Sequence, residues 1–290
     1  VESMRGTRLP GISALLEISG VDQSQVTSVN IAFAMAPRIN ASGRLDHAGR
    51  AVSLLTTENL DEAHMLAGQL DLLNRERQQV VEGIVQEASA KKKKKIQLRS
   101  GKVPDVIVLA GEGWNVGVVG IVASKILERY YRPTLILGID PETGVCKGSA
   151  RSIDGLDIYE ALTACKHTMD HYGGHPAAAG MTLHRDQLEE LESGLNEFAA
   201  AVLTEADFMP ERLADDECRI SDVPLKVIQE IDRLQPFGMS NPSPRFVLRN
   251  VMVKETRTMG REKRHLKLVL EQDGQQLETV AFGKGALAEY

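Results

Sequence analysis

The chain has 290 residues, 26% of them charged and 42% hydrophobic, with a formal net charge of −6. That balance excludes global disorder, and the length suits about two domains. Cys146, Cys165 and Cys218 lie far apart without C-x-x-C spacing, which excludes a zinc ribbon or disulfide framework and fits a reducing, cytoplasmic setting; no apolar run reaches the roughly 20 residues of a membrane span.

Residues 1–20 read as the tail of a helical region, and the chain is expected to be a piece of a longer protein. In APRINASGR (36–44), Pro37 disfavours helical backbone at Ala36, which predicts a turn or loop crowded with Arg38, Asn40, Ser42, Gly43 and Arg44. A long helix follows from an N-cap at Asn59. Its apolar residues recur at Leu60, Ala63, Leu66, Leu70, Leu73, Val80, Val81 and Ile84, a helical spacing held over about seven turns. Some 30 residues of helix span about 45 Å, a length suited to a strut between domains. The helix runs into a lysine run at 91–95, which reads as a solvated helix end where positive charge suits the dipole.

From residue 104 the period changes. DVIVLAG (105–111) and PTLILGI (133–139) are short apolar runs consistent with buried strands, and VGVVGIVASKILERYY (116–131) between them is helical. GVCKGSARS (144–152) is expected as a strand with a polar exit, DIYEALTACKHTM (157–169) as a helix and AAGMTLH (178–184) as a last strand, with a helix over about 186–204 closing the unit. Such alternation indicates an α/β domain. Beyond residue 213, PLKVIQEIDRLQPFG (224–238) reads as a helix ending at Pro236 and Gly238. Residues 245–283 then give three strand-like runs with turns at Met259-Gly260 and Asp273-Gly274, expected as part of a small antiparallel barrel. Between Arg245 and Lys267, eight Lys/Arg stand against two Glu, in a chain that is acidic overall. Arg257, Arg261, Lys263, Arg264 and Lys267 are therefore candidates to track a nucleic-acid backbone, by charge more than by stacking, since aromatic residues are scarce there.

Three segments could carry chemistry. In HYGGHPAAAG (171–180), Gly173 and Gly174 permit a phosphate or sugar to approach the backbone while His175 donates to it; the alternative is a tight turn into a strand with a satisfied histidine. KGSARS (147–152) places Lys147, Gly148, Ser149, Arg151 and Ser152 at a strand end, where open α/β sheets hold ligands, and a guanidinium can grip phosphate through two N–H groups. With APRINASGR of the same character, three Gly/Ser/Arg-rich loops predict an anion site. Trp114, at a strand-to-helix turn, either stacks on a base or anchors packing, and packing is the commoner use. Asp46-His47 reads as surface, and no metal cluster is visible.

Five segments taken together, APRINASGRLDHAGRAVSLL (36–55), WNVGVVGIVASKI (114–126), GSARS (148–152), YGGHPAAAGMTL (172–183) and LQPFGMSNPSPRF (234–246), resemble in order and spacing the RecJ-type single-strand-specific DNA exonucleases of the DHH phosphoesterase superfamily. The resemblance implies a DHH-domain tail over 1–48 and a helical connector over 49–100. A DHH-associated α/β domain, a mixed sheet flanked by helices, would cover 101–208, and a partial OB-fold nucleic-acid-binding barrel 209–290. It implies two Mn²⁺ or Mg²⁺ ions in the full-length enzyme. Their ligands, the DHH motif included, are expected before residue 1, so this segment is expected to bind none and to be inactive alone. The implied partners are single-stranded DNA, digested 5′ to 3′ in recombination and repair, and other repair proteins, with no membrane. By the same resemblance His175 is catalytic, Gly173 and Gly174 hold the nucleotide beside the scissile bond, and Ser149 and Arg151, with Ser152 next to them, form the 5′-phosphate pocket; either Arg38 or Arg44 joins them. Asn115 stands where histidine is usual and Ser240 where glycine is usual. The alternatives are a phosphodiesterase for cyclic dinucleotides or short oligonucleotides, against which the basic barrel speaks, and a non-catalytic nucleic-acid-binding scaffold.

Overall fold

Helices dominate residues 1–98 of the computed structural model, which describes residues 1–98, 101 and 103–289. Helix α1 (Pro10–Ile18), the single turn α2 (Ser28–Asn30), a π-helical turn (Ile31–Met35), α3 (Ala36–Leu45) and α4 (Gly49–Thr56) precede the 39-residue α5 (Leu60–Leu98). Leu15, Leu16, Met35, Leu54, Leu66 and Leu70 form their shared core. Asn59 caps α5 as expected, accepting the Glu62 N–H at 3.0 Å. The loop expected over 36–44 is instead α3. Ala36 is helical (φ −56°, ψ −38°) and donates its N–H to Ile31 O, five residues back. Pro37 sits in the first turn of α3. The wider π turn before it accommodates the ring, and an early-turn position tolerates the missing N–H.

The next elements are β1 (Ile107–Glu112), α6 (Val119–Tyr130), β2 (Thr134–Ile139), β3 (Val145–Arg151), α7 (Ile158–Ala164), β4 (His171–His175), β5 (Ala178–His184) and α8 (Leu188–Val202). The strands form one mixed sheet, ordered β1-β2-β3-β5-β4, with β1 and β2 parallel and every other neighbour antiparallel. Its two faces are treated differently. On one, α7 and α8 bury Leu135, Leu137, Cys146, Ala150, Met181 and Leu183. On the other, α5 and α6 cover Ile107, Leu109 and Ile136 of β1 and β2. There β4 is largely exposed, and a cavity separates β5 and β4 from the first turn of α6.

The lysine run is not a solvated helix end. Lys93 and Lys94 are exposed, but Lys91 donates to Ala110 O at 2.8 Å and Lys95 to Val108 O at 2.9 Å. Lys95 also reaches Glu192 of α8 at 2.6 Å, and Lys92 is buried against the Tyr130 ring. Alternate carbonyls of an edge strand recur every ~6.6 Å, and helical residues four apart recur every ~6.0 Å. Two lysines one turn apart therefore meet two outward carbonyls of β1, filling the place of a neighbouring strand.

The chain divides into two compact units, Val1–Pro210 and Glu211–Tyr290. The second holds β6 (Asp216–Cys218), α9 (Leu225–Asp232), β7 (Phe246–Leu248), β8 (Met252–Met259), β9 (His265–Gln272) and β10 (Gln275–Ala281). β8, β9 and β10 form an antiparallel meander, and β6 pairs with β7 in parallel. The β9–β10 turn has Asp273 and Gly274 at φ 52° and 77°, the left-handed pair that matches hairpin twist. Among the described residues no helix is long and apolar enough to cross a membrane.

Candidate nucleic-acid interface

Strand alternation decides what the uncovered half-sheet presents. Cys146 and Ala150 of β3 turn into the core under α7 and α8, so Lys147, Ser149 and Arg151 stand on the opposite face. The register carries three rows across: Arg151 is level with Ala178 and His175, Ser149 with Gly180 and Gly173, and Lys147 with Thr182 and His171. Most of the three expected loops is regular structure, apart from Ser152 after β3 and the tight turn at Pro176 and Ala177. APRINASGR is helical, residues 147–151 run up the middle of the sheet, and Gly173–His175 end an edge strand that turns through Pro176 and Ala177 into β5. Sheet hydrogen bonds come from the backbone, so glycine and serine, which look like turn residues in a sequence, serve inside strands where something must lie close to the surface.

The middle row is a floor of small groups. A Cβ on Gly173 would meet nothing within 4 Å, whereas one on Gly174 would lie 2.4 Å from Ala178 O. Packing therefore explains the second glycine, and only open space explains the first. The cavity over this floor is about 360 Å³ and is lined by Lys147, Ser149, His171, Gly173 and Val119 among others, with no carboxylate. His175 is exposed, and its Nδ1 accepts the Ala177 N–H at 3.4 Å, which leaves Nε2 as the outward donor.

Arg151 Nη1 donates to Ser149 Oγ at 2.8 Å and to Ala150 O at 2.7 Å. The first turn of α6 lies over both: a Cβ on Gly120 would be 3.0 Å from Arg151 Nη2 and 3.1 Å from Ser149 Oγ. Burial, and then the nearby Arg44, push the Arg151 guanidinium below its ordinary pKa. Arg44, in the last turn of α3, donates to Gly117 O at 3.1 Å. Arg38 lies elsewhere, tied to the buried Asp71 of α5 at 2.8 Å and to Ala34 O at 2.6 Å. Ser152 gives its hydroxyl to Leu156 O at 2.8 Å and so fixes the loop before α7. His171, Gly180 and Thr182 were missed by sequence reasoning; reading 171–175 as a strand, with period two, would have put His171 beside Gly173.

Trp114 is a packing anchor. It is buried, its Nε1 donates to Glu87 Oε2 at 2.8 Å, and Lys91 lies over its ring. Asp46 pairs with Arg50, and His47 Nδ1 accepts the Gly49 N–H. In the second unit the expected basic hairpin is partly neutralised. Lys267 pairs with Glu278, Arg264 with Glu262, Lys254 with Glu271 and Arg249 with Glu217. Most of these acids lie outside the stretch whose charge was counted, which is why the sequence overstated it. Arg257, level with Lys267 across the strands, and Arg261 and Lys263 at the turn form no ion pair among the described residues.

Nowhere among the described residues do three His, Cys, Asp or Glu side chains gather as metal ligands. The groove offers imidazoles without carboxylates, a set that does not fit Mn²⁺ or Mg²⁺. What it can do is bind an extended polyanion: donors of Arg151, Lys147, His171 and His175 flank a floor low enough for a sugar-phosphate chain to touch.

Known proteins share these features. Residues 103–201 match the DHHA1 domain and residues 214–290 the RecJ OB domain. The chain is 42% identical over 289 residues to the single-stranded-DNA-specific exonuclease RecJ of Bacillus subtilis (strain 168), an alignment that covers 100% of this chain and 36% of that protein. Against the enzyme of the same name from Salmonella typhimurium the identity is 36% over 279 residues, covering 94% and 48%. The crystal structure of RecJ in complex with Mn²⁺ from Thermus thermophilus matches with a TM-score of 0.78 at 28% identity, over 97% of this chain and 44% of that one. The chain thus spans between about a third and a half of the length of its curated relatives. With two domain matches that take in most of the sequence and a likeness held along nearly its whole length, the chain belongs to the RecJ family.

Proposed function

We propose that this chain is the strand-positioning part of a metal-dependent, single-strand-specific DNA exonuclease that digests from the 5′ end. The supporting observation is the groove: a carboxylate-free row of small residues flanked by four basic side chains, on a chain similar throughout to RecJ exonucleases. Arg151, Ser149 and Arg44 hold the 5′ phosphate, because two guanidinium groups sharing a neighbourhood without an acid are stabilised when an anion lies between them. Gly173 lets the backbone of the strand lie on β4, Gly174 closes the hairpin behind it, and His175 Nε2 donates to the phosphate next to the scissile bond. The two Mn²⁺ or Mg²⁺ ions activate water in the full enzyme, on ligands other than the groove residues. Arg257, Arg261 and Lys263 of the second unit track the strand by charge. The partial neutralisation of that hairpin weakens the case it made against a dinucleotide substrate, but the RecJ OB match favours a longer strand. The work belongs to recombination and repair in the cytoplasm, beside other repair proteins.

The test is binding of a short single strand, with and without a 5′ phosphate, followed by fluorescence anisotropy across a salt series. The phosphorylated strand binds more tightly, its log affinity falls linearly with log salt, and Arg151→Ala removes the preference for the phosphate. Equal affinity for the two strands in the unaltered protein, or salt-independent binding, overturns the assignment. In the enzyme that carries the metals, His175→Ala lowers turnover by about 10²-fold or more with its thermal midpoint unchanged.

A further inference from the structure

A second cavity, of about 580 Å³, adjoins the groove. It lies where the parallel strands β1 and β2 end, between the 113–116 loop and the β2–β3 turn, the position at which open α/β sheets place ligands. It opens on the same sheet face as the groove, since Gly138 of β2 is level with Lys147 of β3, and both Lys147 and Val116 line the two cavities. Val116, an apolar side chain, is 56% exposed at this junction. At Gly138 a Cβ would lie 2.1 Å from Trp114 O, so the loop carrying Trp114 is seated hard on β2 and its shape is fixed by packing.

The lining is apolar on its walls, with Val116, Pro141 and Val145, and polar at a few points. Asn115 Oδ1 accepts the Gly117 N–H at 2.8 Å, which leaves its NH₂ as a donor. Asp140 Oδ1 is occupied by the N–H groups of Glu142 and Thr143. Lys147 stands where this cavity meets the groove. A pocket of that size with largely apolar walls, a few polar groups from Asn115, Asp140 and Thr143, and Lys147 where it meets the groove suits a flat heteroaromatic ring attached to a phosphate outside; a bare phosphate would leave the walls unused.

We propose that this cavity receives one nucleobase of the bound strand, swung out beside the phosphate on the glycine floor; the proposal rests on the reading of the groove as a DNA site. A base can enter only if it is neither paired nor stacked, so the pocket itself selects single strands. Walls that are largely apolar, with polar groups at only a few points, read little of the base's edge, so the pocket discriminates weakly among the four bases.

An abasic residue walked along a 5′-phosphorylated oligonucleotide, one position at a time from the 5′ end, tests this by anisotropy on the whole chain. One position weakens binding by at least about fivefold while its neighbours do not. Val145→Trp, which fills the cavity with its own ring, weakens the intact strand by a similar factor and shows no further loss at that position. Should Val145→Trp fail to fold by circular dichroism, Thr143→Trp enters the same cavity from its rim and is held to the same result. An intact strand that binds with a flat walk overturns this proposal alone; an intact strand that does not bind at all overturns the groove reading with it.

Discussion

Gly173 and Gly174 are neighbours in one strand, yet different forces keep a side chain from each. At Gly174 the obstacle is the protein's own hairpin, and at Gly173 nothing in the protein stands in the way. Gly173→Ala should therefore leave the thermal midpoint unchanged or slightly raised, since alanine narrows the unfolded ensemble where the native backbone accepts it, while the affinity for single-stranded DNA falls. Gly174→Ala should cost about 1–3 kcal/mol in denaturant unfolding through overpacking. Equal destabilisation by the two would mean that the first glycine also serves packing. The residues of the candidate site were readable as composition: Gly, Ser, Arg and His in close company led to the expectation of an anion site. Its geometry was not, because the same small residues that make a low floor also mimic turns, and only the register of β3, β5 and β4 shows that they share one face. Arg38 and Arg44 could not be told apart either, since what separates them is Asp71, more than thirty residues away in sequence.

Helix α5 shows how an element can hide its purpose in a uniform run. Its apolar spacing predicted it correctly from Asn59 onward, but five identical lysines carry no pattern from which to read who faces what. Their surroundings now distinguish them. Lys93→Ala and Lys94→Ala should change stability by less than about 0.5 kcal/mol, whereas Lys95→Ala, which strips a donor from Val108 O and a partner from Glu192, should cost at least about 1 kcal/mol. Lys92 behaves in the opposite sense. Burial, then Arg132 and Arg129, push its amine from 10.5 down to about 8, so folding favours the neutral form. Its contribution to stability is complete above pH 10.5 and is lost as pH falls through about 8. Lys92→Met should accordingly be more stable than the parent at pH 7, and that advantage should shrink as the pH is raised from 8 toward 10.5. Chemical denaturation of both proteins across that range checks the sign, and an advantage that grows with pH would refute it. The misread loop at 36–44 has a similarly local cause: a rule about proline in regular α-helix does not anticipate a π turn in front of it.

At the scale of the molecule, stability is unevenly distributed. Nearly all fully buried side chains belong to Val1–Pro210, and in Glu211–Tyr290 only Ile220 and Leu266 are buried apolar residues among those described. Limited proteolysis should cut first around residues 209–215, where the chain is exposed, and release a resistant fragment ending near Pro210. Thermal unfolding should show the smaller unit melting first. A single transition with no such fragment would show that the two units fold as one.

The crowding of Arg44 toward Arg151 has a consequence for the protein at rest. Like charges near one another raise the energy of the folded chain, a cost that an anion bound between them would offset. Exchanging Arg44 for a neutral residue of similar length should yield a hardier molecule that grips nothing well.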